Sequence, residues 1–266
     1  MRQLTLGRIL LGIVVAAILI FSILPVLVII PVSFSDTRFM TFPPPGYSLR
    51  WYQSFINNPT WMDAARTSLL TACLTVLIAT PLGVAASYAL HNGRHWSLRY
   101  IRIGMMMPLI VPIIIVAVGV FFVYAKIGLL STITGLVLAN TMLGLPYVVT
   151  SVLAGLKGFD PAQEMVARSL GMNRLRAFML VTLPQIKASV ISGAIFAFIQ
   201  ALDETIVSLF VSGGENQTLT KRMFTTLRDE IDPTIAAIST LLTAASFALV
   251  MLTVLSKNKT PRKTAK

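Results

Sequence analysis

Apolar blocks of about 20 or more residues, nearly free of charge, recur along this chain, and that is the length an α-helix needs to cross ~30 Å of hydrocarbon. Hydrocarbon offers no water to an open backbone, so such blocks form helices that satisfy their own hydrogen bonds. The first block runs from Ile9 to Val32. It is longer than the apolar core of a signal peptide and ends without a clear small-residue cleavage site, so it reads as an uncleaved span. With 55% hydrophobic residues and a mean hydropathy of +0.79, a soluble domain could not cover its own surface. The chain reads as an all-α membrane protein, one transmembrane domain over residues 1–266. Its six spans lie at about 9–32, 64–90, 103–124, 132–156, 186–211 and 233–256.

The polar segments between the blocks set the orientation. Fifteen of the 22 Lys and Arg residues fall in segments 1–8, 91–102, 157–187 and 257–266, and seven fall in the alternate set. The excess places both termini and the basic segments in the cytoplasm. The net charge of +12 is spread between spans and forms no single patch, which argues against nucleic acid as a partner. The tail KNKTPRKTAK reads as disordered. Cys73, the one cysteine, lies inside an apolar block and permits no internal disulfide. His91 and His95 stand four apart, a spacing that can bind metal on a helix. Asn92 and Gly93 between them argue for a turn, and no third ligand is near.

Several spans carry marks of their own. Pro108 and Pro112 interrupt the third, which predicts a kinked or hinged helix. Asn140, Gly144, Tyr147 and Ser151 share one face of the fourth, a stripe for protein contact or a water-filled path. Outside the second span, Ser48 can cap a short helix whose Trp51, Tyr52 and Phe55, with Trp61, give the region an interfacial character. Asp203 and Glu204 interrupt the fifth span. An ionisable side chain at that depth costs at least about 2.5 kcal/mol on insertion scales. Ser192, Gln200, Glu204 and Ser208 fall on one helical face. Two readings stand for the acids: with Gln200, Ser208, Asn140 and Tyr147 they line a path that attracts a cationic solute, or they hydrogen-bond to neighbouring spans.

The segment from Lys157 to Ile186 is too polar to span but rich in helix signals. Asp160 followed by Pro161 is a capping carboxylate with proline at the first helical position. The helix AQEMVARSL runs into Gly171, suited to the left-handed residue past a helix end. Asn173 can cap a second helix, RLRAFMLVTL, which Pro184 should stop or bend.

ARSLG at 167–171, nine residues, and VTLP at 181–184 resemble the EAA motif of permease subunits of ABC importers. Gly171, Leu183 and Pro184 are in register, and Val181 stands for the usual isoleucine. The acid sits one place early, at Glu164, and the motif positions hold Met165, Val166 and Ala167. SLRWY at 48–52, ARTSLLTA at 65–72, MMPLIVP at 106–112 and LPYVV through LKGFDP at 145–161 are similar to the spermidine/putrescine-type permeases of that superfamily. The resemblance implies that residues 157–185 hold a cytoplasmic coupling helix between spans four and five, and that Glu164, Ala167, Arg168, Ser169, Leu170 and Gly171 dock on an ATPase. It implies two copies of that ATPase, a second permease subunit, a different chain, and a periplasmic or lipid-anchored solute-binding protein, in a bacterial inner membrane. The sequence has no G-x-x-x-x-G-K-[ST] phosphate loop. The expectation is a non-enzymatic, multi-pass permease with no cofactor of its own, ATP and magnesium residing on the partner. Its solute is a small nitrogen-containing cation such as a polyamine, or an amino acid, opine or aminophosphonate. A stand-alone transporter or channel driven by an ion gradient is the reading from another class.

Overall fold

The computed structural model describes residues 6–93, 95–229 and 232–258, with side chains described from residue 7 to residue 251 within those ranges. Arg94, Glu230 and all but the first two residues of the basic tail lie outside the described residues, as does Arg2 near the N-terminus. The chain divides into two compact units, residues 1–62 with 225–245 and residues 63–224 with 246–266.

In the first unit, α1 (Leu6–Ser33) runs unbroken through Pro25 and Pro31. Its apolar residues point out on every side, from Leu10 and Leu11 to Phe21 and Leu27, a surface that hydrocarbon solvates and water does not. Beyond it, Ser48 N donates to Phe34 O at 2.6 Å and Arg50 Nη1 to Asp36 O at 2.8 Å. These bonds fold residues 34–48 back on themselves. Ser48 Oγ accepts from Arg50 N at 3.1 Å just before α2 (Arg50–Asn57), but the N-cap position falls one residue later than expected, at Leu49. Trp51 and Trp61 are buried, so these two rings fill protein interior and not a lipid boundary.

The second unit is built on α3 (Pro59–Asn92, which begins in the first unit), α4 (Ser97–Met106), α5 (Ile113–Ile127) and α6 (Ile133–Lys157). It continues through α7 (Pro161–Ser169), α8 (Arg174–Ala177), α9 (Leu183–Asp203), α10 (Ile206–Val211) and α11 (Leu219–Asp229), the last crossing into the first unit, as does α12 (Thr234–Asn258). Among the described residues five helices are long and apolar enough to cross a membrane, or six if one bent pair forms a single span. That pair corrects the expected third span. Ser97–Leu109 and Ile113–Ile127 meet at 102°, which is a break and not a kink. Pro112, lacking an N–H and held extended at ψ 127°, starts α5 afresh instead of continuing the helix before it. Helix α3 ends at Asn92; His95 therefore shares no helical turn with His91, and its Nδ1 contacts Ser97 Oγ at 2.7 Å.

The core of this unit is the pair α6 and α9. Val148, Val152 and Leu156 of α6 meet Ile186 and Ala197 of α9, with Ala79 of α3 against them. Small residues let the backbones approach, the usual solution where lipid supplies no hydrophobic drive between helices. A Cβ placed on Gly193 would lie 3.0 Å from Val148 Cα, and one on Gly144 would lie 3.3 Å from Ala197 Cβ. Gly193→Leu therefore forces α6 and α9 apart, and overpacking of this kind costs about 1–3 kcal/mol. A lower melting temperature and a smaller monodisperse fraction in detergent are expected; an unchanged melt would show that the helices separate freely. A second cluster joins α5 and α10 to α6 through Ala117, Leu136, Ala139, Leu143, Val207 and Val211.

Pro184 does not stop the helix that precedes it. α8 passes through a wider turn, Phe178–Thr182, into α9, and Arg174–Asp203 is one 30-residue apolar stretch. Leu183 N bonds to Phe178 O, five residues back. In an ordinary helix the Pro184 ring would press on the carbonyl four residues before it. The extra residue in the turn moves that carbonyl aside. The helix is therefore continuous across the expected boundary at 186, and the second short helix runs on into α9.

Candidate functional site

Two places in the second unit gather polar side chains that the spans alone do not require. The first is the α7–α8 turn. Asp160 Oδ1 accepts from Ala162 N at 3.0 Å and begins α7, with Pro161 in its first turn. The helix closes with Gly171 N on Arg168 O at 3.0 Å and Met172 N on Ala167 O at 3.2 Å. This is the paired C-terminal closure that demands a left-handed residue, and Gly171 supplies it at φ +94°. Asn173 Oδ1 then accepts from Arg176 N at 2.8 Å and opens α8.

Helical spacing divides the six residues expected at the docking surface. Arg168, Ser169, Leu170 and Gly171 are exposed, Leu170 at 79%, beside exposed Met165 and Val166. Glu164 and Ala167, three apart on the opposite face, are 8% and 7% exposed. Glu164 is turned into the protein and does not lie on the outward face. Its Oε1 accepts from the Tyr88 hydroxyl and its Oε2 from Thr182 Oγ1 at 2.6 Å. Arg174 Nε donates to the same Tyr88 oxygen at 3.3 Å, and its guanidinium lies 5.1 Å from the Tyr88 ring centre. The Phe178 ring, 4.5 Å away, packs against that ring as well. These groups border a cleft of about 350 Å³ that His91, Phe159, Arg168 and Arg174 also line. Tyr88, Arg174 and Thr182 escape a sequence reading: Tyr88 is 76 residues from Glu164, and no local pattern joins them.

The second place is the end of α9. The predicted fifth span is not continuous: α9 stops at Asp203, Glu204 is extended at ψ 108°, and α10 starts at Ile206. The polar ladder is broken with it, and Ser208 sits buried on α10. Glu204 is 6% exposed; Asp203 is exposed. Glu204 Oε1 accepts from Val207 N at 2.8 Å, and Oε2 accepts from Gln200 Nε2 at 3.2 Å. Its backbone carbonyl accepts from Thr220 Oγ1 at 3.0 Å. At the other end of α10, Lys221 Nζ donates to Leu209 O at 3.2 Å and to Ser212 O. The short helix thus has a carboxylate at its positive end and an ammonium at its negative end, the favourable arrangement for its dipole. Burial pushes the Lys221 ammonium below the usual lysine range, since desolvation disfavours the charged form.

Of the other expected path residues, Asn140 is buried, and neither its Nδ2 nor the buried Gln200 Oε1 has a hydrogen-bond partner among the described residues. Tyr147 is half-buried. Gln200 and Glu204 are brought into contact; no hydrogen bond among the described residues joins Asn140 or Tyr147 to them. Thr220 and Lys221 were not among the sequence candidates, because they lie in a polar segment that reads as a plain loop.

Known proteins resemble this chain over nearly its whole length. The spermidine/putrescine transport system permease protein PotC of Haemophilus influenzae is 28% identical over 89% of this chain and 91% of its own. PotC of Escherichia coli K12 is 26% identical over 96% and 97%. The putrescine transport system permease protein PotI of Escherichia coli K12 is 28% identical over 85% and 82%. Among solved structures, a chain of a bacterial ABC transporter involved in import of the acidic polysaccharide alginate superposes with a TM-score of 0.72, at 14% identity, covering 98% of this chain and 100% of that one. A chain of an amino acid ABC transporter with histidines gives 0.59 at 18% identity, over 79% and 98%; both likenesses are of fold. Residues 79–260 match the family model for the binding-protein-dependent transport system inner membrane component, and the chain belongs to that family.

Proposed function

We propose that the solute carried by this ABC-importer permease is a small organic cation of the polyamine type. The observation that supports this most is the similarity to PotC and PotI, which spans 82–97% of those proteins. The acids at the α9–α10 break agree with it, because a carboxylate pair in a path attracts cations and repels anions. A molybdate/tungstate transport system permease protein, WtpB of Pyrococcus furiosus, is 29% identical over 65% of this chain. An oxyanion would meet Asp203 and Glu204 unfavourably, and the cation is preferred on that ground.

In this reading the whole chain acts as one transmembrane domain with both termini in the cytoplasm of a bacterial cell and six crossings, the bent pair counting as one. The α7–α8 turn is cytoplasmic and meets an ATPase, present in two copies, through Arg168, Ser169, Leu170 and Gly171. Glu164 and Ala167 support that surface from behind. A second permease subunit completes the path, and a solute-binding protein delivers the solute. The chain holds no cofactor; ATP and magnesium belong to the ATPase. The path residues are Asp203, Glu204, Gln200, Ser208, Asn140 and Tyr147.

Co-expression with the partner subunits and purification in detergent tests this. A co-eluting ATPase, stimulated by a binding protein loaded with spermidine or putrescine, is expected. Uptake by this chain alone, driven by an ion gradient, would sink the reading, and stimulation by an amino acid, opine or aminophosphonate would reassign the solute.

A further inference from the structure

We infer that Glu164 is a positioning residue that ties the α7 helix to two membrane helices at once, so that a push on α7 moves α3 and α9 together. This rests on the proposed coupling role of α7. The carboxylate lies inside the protein, and each of its oxygens is held by a hydroxyl from a different element. Tyr88 belongs to the last turns of α3, and Thr182, fully buried, closes the wide turn that leads into α9. Apolar side chains slide over one another with little change in energy. A buried carboxylate cannot, because leaving either hydroxyl gives up a charge-assisted bond that a sliding apolar contact does not have.

The surroundings fix the joint further. The Tyr88 ring is packed by Phe178 and stacked under Arg174, whose Nε also holds the Tyr88 oxygen. Both come from the first residues after the Gly171 turn, so the turn and the span end move as one piece. The wide turn is the one place where the bonds of this span run five residues back, and a ladder already out of register can shift there at least cost. From Leu183, α9 runs 21 residues to Asp203, roughly 30 Å at 1.5 Å per residue. Displacement at Glu164 therefore reaches the break at Glu204 along a single helix.

The inference makes Glu164 different in kind from a docking contact. An amide can replace it: in Glu164→Gln the oxygen accepts from one hydroxyl and the NH2 group donates to the other. Glu164→Ala removes both bonds and leaves the exposed face of α7 unchanged. The test uses the full complex with its ATPase, in lipid nanodiscs. Exposed Ala89 of α3 and Ala162 of α7 are replaced by spin-labelled cysteines, and exposed Cys73 is replaced by serine. In the parent complex the label separation is expected to stay fixed between the nucleotide-free and vanadate-trapped states. In Glu164→Ala the ATPase still co-elutes and basal hydrolysis persists, but the separation changes on trapping and binding-protein stimulation falls roughly 10-fold. Glu164→Gln restores the fixed separation, and Tyr88→Phe with Thr182→Val reproduces the alanine effect, which keeps the question decidable if Glu164→Ala fails to fold. A fixed separation in Glu164→Ala would overturn the inference, as would a glutamine variant as damaged as alanine. Loss of the ATPase from Glu164→Ala at an unchanged melting temperature would overturn it too, since Glu164 would then act in docking. Absence of an ATPase from the parent complex would remove the coupling role itself, and the inference with it.

Discussion

Gly171→Asp leaves the chain folded in the membrane and abolishes ATP-driven uptake. The position tolerates a side chain sterically, since a Cβ there meets nothing within 4 Å. The conformational cost is local: a residue with a Cβ at φ +94° gives up about 1–2 kcal/mol, and aspartate is among the residues that visit this region. No core contact of α6 with α9 depends on it. What changes is the exposed end of α7. A negative charge arrives at the negative end of the helix dipole, next to exposed Leu170 and Arg168, on the surface proposed to meet the ATPase. Arg168 then has an intramolecular partner and is withdrawn from any acid opposite. The measurements are membrane yield, ATPase co-elution and uptake, with Gly171→Asn as the uncharged control that keeps the turn. Normal uptake by Gly171→Asp would end the coupling role of this turn, and a loss equal in both variants would trace the effect to the backbone and not to the charge.

The α7–α8 turn was legible because its signals are local. Asp160, Gly171 and Asn173 each act on backbone groups within three residues and make the bond their type predicts, and Pro161 takes the first-turn place where its missing N–H costs nothing. The helical character of the apolar blocks was legible for the same reason. Breaks inside the blocks were harder. Pro112 ends one helix and starts another at 102°, while Pro184 and Pro25 leave theirs intact. The residue is the same in each case; at Pro184 a wider turn absorbs the lost bond, and the continuity of α1 at Pro25 has no such structural explanation. The inward turn of Glu164 follows from helical phase once the buried side of α7 is known, but that side is set by Tyr88 and Thr182, which are 76 and 18 residues away. The break at Glu204 had no proline or glycine to announce it. The acid satisfies the break once it is made, its Oε1 accepting from Val207 N at 2.8 Å.

That last point separates two acids that look equivalent in the sequence. Glu204→Ala removes the acceptor of Val207 N and of Gln200 Nε2. Leaving a buried N–H unsatisfied costs about 1–3 kcal/mol, and more in hydrocarbon, where it has no solvent to turn to. A lower melting temperature, poor yield and lost uptake are expected together. Glu204→Gln keeps an oxygen for Val207 N, and its NH2 can donate to Gln200 Oε1, which is buried with no partner among the described residues. That variant should fold as the parent does. Asp203 is exposed, and the described hydrogen bond there goes to its backbone carbonyl, from Thr205 Oγ1. Asp203→Asn should therefore leave the melt unchanged and act on transport alone. If the side chain faces a cationic solute, the apparent KM for uptake rises roughly tenfold, the equivalent of about 1.4 kcal/mol, with the maximal rate little affected. Both neutral amides together, Asp203→Asn with Glu204→Gln, decide the matter: a folded protein with unaltered uptake of spermidine would assign both acids to structure and leave the path to other residues. A raised KM in the double variant, beside an intact melt, would place charge recognition at this break. The bond from Val207 N to Glu204 Oε1 would then hold that carboxylate in place beside the path.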